Sequence, residues 1–269
     1  MIYFIVNPVA GHGINKKNIK IIKGYMKSNG LAYKTLVTKK PNHATMLAKL
    51  AVKNKADKII AAGGDGTIQE VAEGVAFSNV PLGVLPLGSG NDLAKSLGIG
   101  KNIESALKKI VSGKIIKADL IEVSGRHYLN AASIGIDAEI AVTAGKIKKT
   151  FGRLSYFISV FKNIITYKPF KATVKIGNKT IGGEFTLIAA ANGKYYGGGF
   201  KIAPGASIDD GLADFYFIKK IPRLLLLIIF PTVIFGTHNR LKYVTEVKAR
   251  NACVLLNENK SLNLDGNMY

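Results

Sequence analysis

The chain has 269 residues, 48% of them apolar and 20% charged, a balance that allows one large or two modest domains with a real core and excludes wholesale disorder. Its 38 basic and 17 acidic residues leave a net charge of +21. Up to Val123 there are 18 basic and 8 acidic residues, and from Ser124 onward 20 and 9, so the excess is even and forms no basic tail. Such a field favours nucleotides, nucleic acids or acidic lipid surfaces; a lysine-rich background that only keeps the protein soluble accounts for it equally well. Cys253 is the single cysteine, which excludes an intrachain disulfide and a cysteine metal cluster and fits a reducing, cytoplasmic setting.

In chain order, Met1–Val6 is apolar, lacks a basic leader and runs into Asn7-Pro8, so it reads as a buried first strand. Further short β-rich runs are Tyr33–Thr38, Lys58–Ala62 and Leu82–Leu85. Helical patterns fill the gaps at Lys16–Ser28, Asn42–Lys55, Thr67–Ala76 and Asn102–Val111. Asn42 suits an N-cap, and Gly30 and Gly113 stand where helices should stop. This alternation predicts an α/β domain with a parallel sheet covered on both faces, over residues 1–123. Beyond it strand patterns dominate: Tyr128–Ala132, Phe170–Ile176, Phe185–Ala191, Ala213–Ile218, Val244–Lys248 and Ala252–Asn257, with a hairpin turn at Gly177-Asn178. Two helices are expected among them, Leu154–Tyr167 and Pro222–Phe235. The second domain, 124–269, is therefore mainly antiparallel and β-rich. The longest apolar stretch, Leu224 to Phe235, is interrupted by Pro231 and too short to span a bilayer; it suits a buried helix or one lying at a membrane.

Three strands run into glycine-rich turns: Asn7-Pro8-Val9-Ala10-Gly11-His12-Gly13, Gly63-Gly64-Asp65-Gly66-Thr67 and Gly88-Ser89-Gly90-Asn91-Asp92. Ligands of open α/β sheets sit outside the carboxyl ends of the strands, so the three loops should share one edge. Glycines let backbone N–H groups approach a phosphate, and a helix N-terminus adds positive charge. Asp65 suggests a cation held through water, or proton handling. Alone, the segment also reads as a tight turn with Asp65 as a cap. Neither a Walker loop nor the full dinucleotide fingerprint occurs, and His12, His43, His127 and His238 are scattered.

The ordered series Asn7-Pro8…Gly11, Gly63-Gly64-Asp65-Gly66-Thr67, Pro86-Leu87-Gly88-Ser89-Gly90-Asn91-Asp92, Asn130-Ala131-Ala132-Ser133-Ile134-Gly135, Ala203-Pro204…Asp209-Asp210-Gly211 and Leu264-Asp265-Gly266 resembles the bacterial soluble lipid kinases of the diacylglycerol kinase catalytic-domain family. These are related to sphingosine kinases and, more distantly, NAD kinases. The resemblance implies ATP-dependent phosphorylation of a lipid hydroxyl in a cleft between the two domains. It implies ATP contacts from Asn7, Pro8, Val9, Ala10, Gly11, His12 and Gly13, from Gly64, Asp65, Gly66, Thr67, Ile68, Gln69 and Glu70, and from Thr38 and Ser89. It implies a Mg²⁺ site of Ser207, Asp210 and Leu212, and catalytic parts for Asp65 and Asp265, with Asp65 facing Asp210 and Asp265.

Family members carry Leu-Asp-Gly-Glu where this chain has Leu264-Asp265-Gly266-Asn267, which leaves Asp265 as the candidate base. They also continue for some tens of residues that supply further strands, so relative to them the second domain is cut short. The implied partners are ATP, a membrane lipid acceptor and the anionic membrane surface that holds the protein peripherally. No nucleic acid is expected, for want of a recognition helix or base-stacking platform. A homodimer remains open. An NAD kinase-like acceptor, and a nucleotide binder with impaired or no catalysis, are the alternative readings.

Overall fold

The computed structural model describes residues 1–11, 16–151 and 155–269. The chain forms two compact units, one of Met1–Lys117 with Arg126–Leu129, the other of Ala118–Gly125 with Asn130–Tyr269.

The first unit is a parallel α/β sheet. Its elements are β1 (Ile2–Val6), α1 (Lys16–Ser28), β2 (Tyr33–Val37), α2 (His43–Lys53), β3 (Lys58–Gly63), α3 (Asp65–Val75), β4 (Leu82–Pro86), α4 (Asp92–Ser96) and α5 (Ile103–Ser112). The strand order is β2-β1-β3-β4, every pair parallel. β1 is buried along its whole length, as a strand covered on both faces must be. Phe4, Ile60 and Leu85 pack with Ile22 and Met26 of α1 and Leu107 and Ile110 of α5. Lys58 donates from Nζ to the carbonyls of Ile110 and Val111, closing the end of α5. A Cβ on Gly74 would lie 2.5 Å from Ala48 Cβ, so α2 and α3 touch through small residues.

The helix starts carry a lesson in capping. Asn42 precedes α2, yet it adopts φ 62° and its side chain makes no cap bond. The acceptor comes instead from Glu70 of α3, whose Oε2 takes the N–H of Ala44 at 2.9 Å.

After β5 (Ile121–Val123) and β6 (Arg126–Tyr128), the second unit runs β7 (Ala131–Gly135), α6 (Ile136–Phe151), α7 (Ser155–Thr166), β8 (Phe170–Ile176), β9 (Lys179–Ala191), β10 (Ala213–Lys219), α8 (Arg223–Ile229), α9 (Pro231–Phe235), β11 (Val244–Ala249), β12 (Cys253–Leu256), β13 (Leu262–Leu264) and β14 (Asn267–Met268). The main path is β11-β10-β9-β7-β13-β14; β8 pairs with β9 and β12, and all pairs are antiparallel. The 13-residue β9 serves three neighbours: its first half pairs with β8, its second with β7 and β10. Phe170, Val174, Phe185 and Phe217 meet Val160, Ile164 and Tyr167 in the core.

Three details depart from the sequence-based pattern. The strand expected at Tyr128–Ala132 is broken at Leu129-Asn130. Helix α6 was hidden because β-branched residues carry the strand pattern past Gly135 (φ 130°), although Ile136 and Ile140 are buried with helical spacing. The helix expected at Pro222–Phe235 is two helices meeting at Phe230, because Pro231 has no N–H to continue the first. Leu154, the expected start of the preceding helix, lies outside the described residues. Among the described residues, no helix is long and apolar enough to cross a membrane.

Candidate active site

In the first unit the chain moves outward from β1 to β2, then returns to the other side of β1 with β3. The point between β1 and β3 is therefore a topological switch, where adjacent strand-end loops diverge and leave a crevice. Asn7 follows β1, and Gly64 to Thr67 follow β3. The two loops are joined by Asn7 Nδ2 donating to Thr67 Oγ1 at 2.9 Å, while Asn7 Oδ1 accepts from Val9 N. Thr38, at the end of β2, donates its N–H to Val6.

The third loop locks onto the second through backbone. A Cβ on Gly88 would sit 2.4 Å from Gly64 Cα, and one on Gly11 (φ 62°) 2.4 Å from Leu87 O. These glycines are required by the loops' contact with each other. Gly66 differs: a Cβ there meets nothing within 4 Å. It lies in the first turn of α3, whose N-cap, Gly64, supplies no side-chain acceptor. The first N–H groups of a helix have no intrahelical partner, so this turn presents donors and a dipole toward open space.

Asp65 is not pointed at that space. Its Oδ2 accepts from Asn91 N at 2.7 Å and its Oδ1 from Asp92 N at 2.6 Å, which caps α4 from the neighbouring loop. Asn91, at φ 55°, closes its own loop by accepting from Gly88 N and donating to Gly88 O, both at 2.8 Å. Ser89 at the tip is exposed. Pro8 and Val9 are exposed, Ala10 is buried and Ile68 is 1% exposed, so Ala10 and Ile68 can offer a ligand little but backbone. Gln69 is buried and donates to His127 O, and Glu70 is spent on α2. His12 and Gly13 lie outside the described residues.

In the second unit an acidic loop precedes β10. Asp210 Oδ1 accepts from Leu212 N, Ser207 Oγ donates to Asp209, and Asp119 Oδ2 accepts from Gly211 N at 2.7 Å. Lys248 of β11 enters this loop. Its Nζ lies 2.9 Å from Asp210 Oδ2, 3.1 Å from Gly205 O and 3.4 Å from Asp214 Oδ2. That ammonium holds Asp210 below the usual carboxylate range and is itself raised by it. Asp214 is wholly buried, and burial pushes its carboxyl up despite Lys248. The sequence offered no signal for Asp119 or Lys248, which reach the loop from far along the chain. Asp210 and Asp214 share this lysine, while Asp119 and Asp209 bond to other groups of the same loop, and the donors are hard oxygens, a set that suits Mg²⁺. Among the described residues no three acidic, His or Cys groups already converge on one point.

Removing that lysine has a signed consequence. Lys248→Met should destabilise the protein by about 1–2 kcal/mol at pH 7, because Asp214 is left charged and buried while the lysine is itself partly solvated. Asp214, with its raised carboxyl, favours the protonated form in the folded state. As pH falls through that raised value the unpaired charge is removed, so the gap in Tm between variant and wild type should narrow toward pH 4. A gap that stays constant or widens on acidification contradicts this pairing.

Asp265 occupies the turn between β13 and β14. Asp265 (φ 48°) and Gly266 (φ 91°) both take the positive φ that a two-residue hairpin demands. The Asp265 carboxylate accepts from Asn130 N at 3.1 Å and Ala131 N at 2.6 Å. It is 7% exposed. Asn263 Oδ1 accepts from Gly266 N, and Asn263 Nδ2 donates to Tyr196. The carboxylate thus ties the turn to the start of β7.

The sequence pattern of the diacylglycerol kinase catalytic domain matches residues 1–123, and that of the YegS C-terminal NAD kinase beta sandwich-like domain matches 130–268. A diacylglycerol kinase of Bacillus subtilis is 32% identical over 266 residues, 97% of this chain and 88% of that relative. One of Mycobacterium tuberculosis is 28% identical over 253 residues, 91% of this chain and 82% of the relative. A crystal structure of a diacylglycerol kinase from Bacillus anthracis superimposes with a TM-score of 0.78 at 25% identity, covering 100% of this chain and 90% of that one.

Proposed function

We infer that this chain, which belongs to the diacylglycerol kinase catalytic-domain family, transfers the γ-phosphoryl group of ATP to a hydroxyl of a membrane lipid such as diacylglycerol. The observation that carries the reading is the open first turn of α3 beside Gly66, with Asn7, Thr67 and the Ser89 loop gathered at the same sheet edge. Its N–H groups bind the phosphates, and the interlocked glycine loops hold them without further rearrangement. Thr38, Ser89 and the backbone of residues 7–13 and 64–70 complete the nucleotide site.

Ser207, Asp210 and Leu212 are the residues that would hold Mg²⁺, which when bound supplies neutralisation of negative charge. In the transfer, the lipid oxygen bonds to the γ-phosphorus, the bond to the ADP oxygen breaks, and the hydroxyl proton passes to Asp265 or to a water it orients. Asp65 acts by fixing the Asn91 loop. The family assignment and the Asp-Gly turn support the Asp265 role. Residues 1–123 form the nucleotide-binding domain and 124–269 the lipid-substrate domain in this reading, and the acceptor reaches the protein at an anionic bilayer.

The direct test is transfer of labelled phosphate from ATP to extracted membrane lipids, with NAD as a parallel acceptor. Labelled lipid is the expected product. Labelled NADP, or tight ATP binding without any transfer, overturns the reading. Gly66→Ala refines it. Alanine is favoured over glycine in a helix by about 0.5–1 kcal/mol, so the variant should melt no lower than wild type. Its methyl group enters the phosphate approach, so ATP affinity should fall on the order of tenfold or more by calorimetry. Unchanged affinity would place the phosphates elsewhere.

A further inference from the structure

The second unit exposes apolar side chains that its own core does not use. On α7, Val160 and Ile164 turn inward, while Phe161 and Ile165, four residues apart, remain 59% and 58% exposed. Helix α8 packs on α7 and repeats the arrangement. Leu226, Leu227 and Phe230 face the core, whereas Leu224 and Ile228 are 78% and 73% exposed. Large apolar side chains clustered outside the core mark an interaction surface.

The chemistry of the partner follows from charge. No acidic residue occurs from Ile140 to Gly183, nor from Phe215 to Thr245. These two stretches contain both helices. Lys162, Lys168, Lys219, Lys220 and Arg223 are exposed along them, and of these only Lys220 has an acidic partner among the described residues, Glu184 at 3.0 Å. Helices with one apolar edge turned out, flanked by cations and free of acids, match the interface of an anionic bilayer, where apolar side chains enter the acyl boundary and cations meet the headgroups. The apolar edge and the cations occur together on the same two helices, which a bilayer meets at once with its acyl boundary and its headgroups.

We propose that the α7–α8 face is the membrane-docking surface of this protein, with Phe161, Ile165, Leu224 and Ile228 entering an anionic bilayer. The proposal rests on the lipid-kinase reading for its purpose, since a lipid acceptor lies in a bilayer and no helix among the described residues is long and apolar enough to enter one as a span.

The test is co-sedimentation with vesicles of phosphatidylcholine alone and of phosphatidylcholine with about 40% phosphatidylglycerol. Wild type should partition onto the anionic vesicles, and binding should fall as salt rises. Leu224→Ser with Ile228→Ser, and separately Phe161→Ser with Ile165→Ser, should each lower that partition about tenfold or more. ATP affinity and Tm, read on the same preparations, should not change, because the substituted side chains are exposed. Variants that sediment like wild type overturn the proposal. So does sedimentation velocity showing a dimer that the serine variants dissolve, which would make a second copy the occupant. Vesicle binding by a wild type that transfers no phosphate leaves this surface standing and removes the kinase reading instead.

Discussion

Asp65→Ala should lower the stability of the protein by about 2–4 kcal/mol, because the backbone N–H groups of Asn91 and Asp92 lose a charged acceptor each and α4 loses its cap. On thermal denaturation this is a drop of roughly 5–15 °C for a unit of this size. ATP affinity should fall with it, since the Gly88–Asn91 loop is anchored to the α3 loop by that carboxylate. Asp65→Asn keeps one acceptor and should show about half the loss in stability. The outcome separates two parts for this residue. A positioning carboxylate costs stability and affinity together and leaves the Mg²⁺ requirement as it was. A carboxylate whose main work is at the cation would leave Tm intact in Asp65→Asn and raise the Mg²⁺ needed for half-maximal rate. Robust transfer by Asp65→Ala at the wild-type Tm would remove both.

The second large effect is expected at Asp265. Asp265→Asn should reduce kcat by about 10²–10⁴-fold if the carboxylate takes the acceptor's proton, with little change in KM for ATP. The same substitution keeps one acceptor for Ala131 or Asn130, so the loss of stability should stay near 1–2 kcal/mol. Asp265→Ala orphans both N–H groups and should cost more. A role confined to holding the turn predicts a different relation: kcat and Tm fall in proportion across the two variants, and Asn does nearly as well as Asp. Finding that proportion would retire Asp265 as the base. Asn267→Glu, which places a carboxylate two residues on, should then be the substitution that raises the rate.

Much of the first unit was legible because its rules are local. Strands buried on both faces read as continuous apolar runs, the helices between them carry a 3.6-residue period, and each glycine loop falls where a strand must turn. The purpose of individual residues in those loops was less legible. Asp65 and Glu70 look like ligand-binding carboxylates in a phosphate loop, but each caps a helix other than its own. Only the sheet order makes those helices neighbours. In the second unit the sequence marks Asp210 and Asp265 by their glycine turns. It is silent about Lys248, 38 residues from Asp210, and the motif that opens at Asn130 does not say that its N–H meets Asp265, 135 residues away. β13 and β14 were missed for a simpler reason: three and two residues are too few to show a period.

The pairing of β7 has a consequence for how the chain folds as it is made. β7, which begins at Ala131, is hydrogen-bonded on one side to β9 and on the other to β13, at Leu262–Leu264. The parallel sheet of the first unit can close once β4 has emerged near residue 86. The antiparallel sheet cannot satisfy both edges of β7 until residue 264 has left the ribosome. Contacts of that sequence separation form slowly. For the intervening stretch of synthesis, a folded first unit would trail a sheet with one bare interior edge, which is the state most open to chaperones and to mispairing. Arrested chains ending before and after Leu264 should differ sharply in protease resistance beyond residue 130, and equal resistance would show that β13 is a late addition to an already closed sheet.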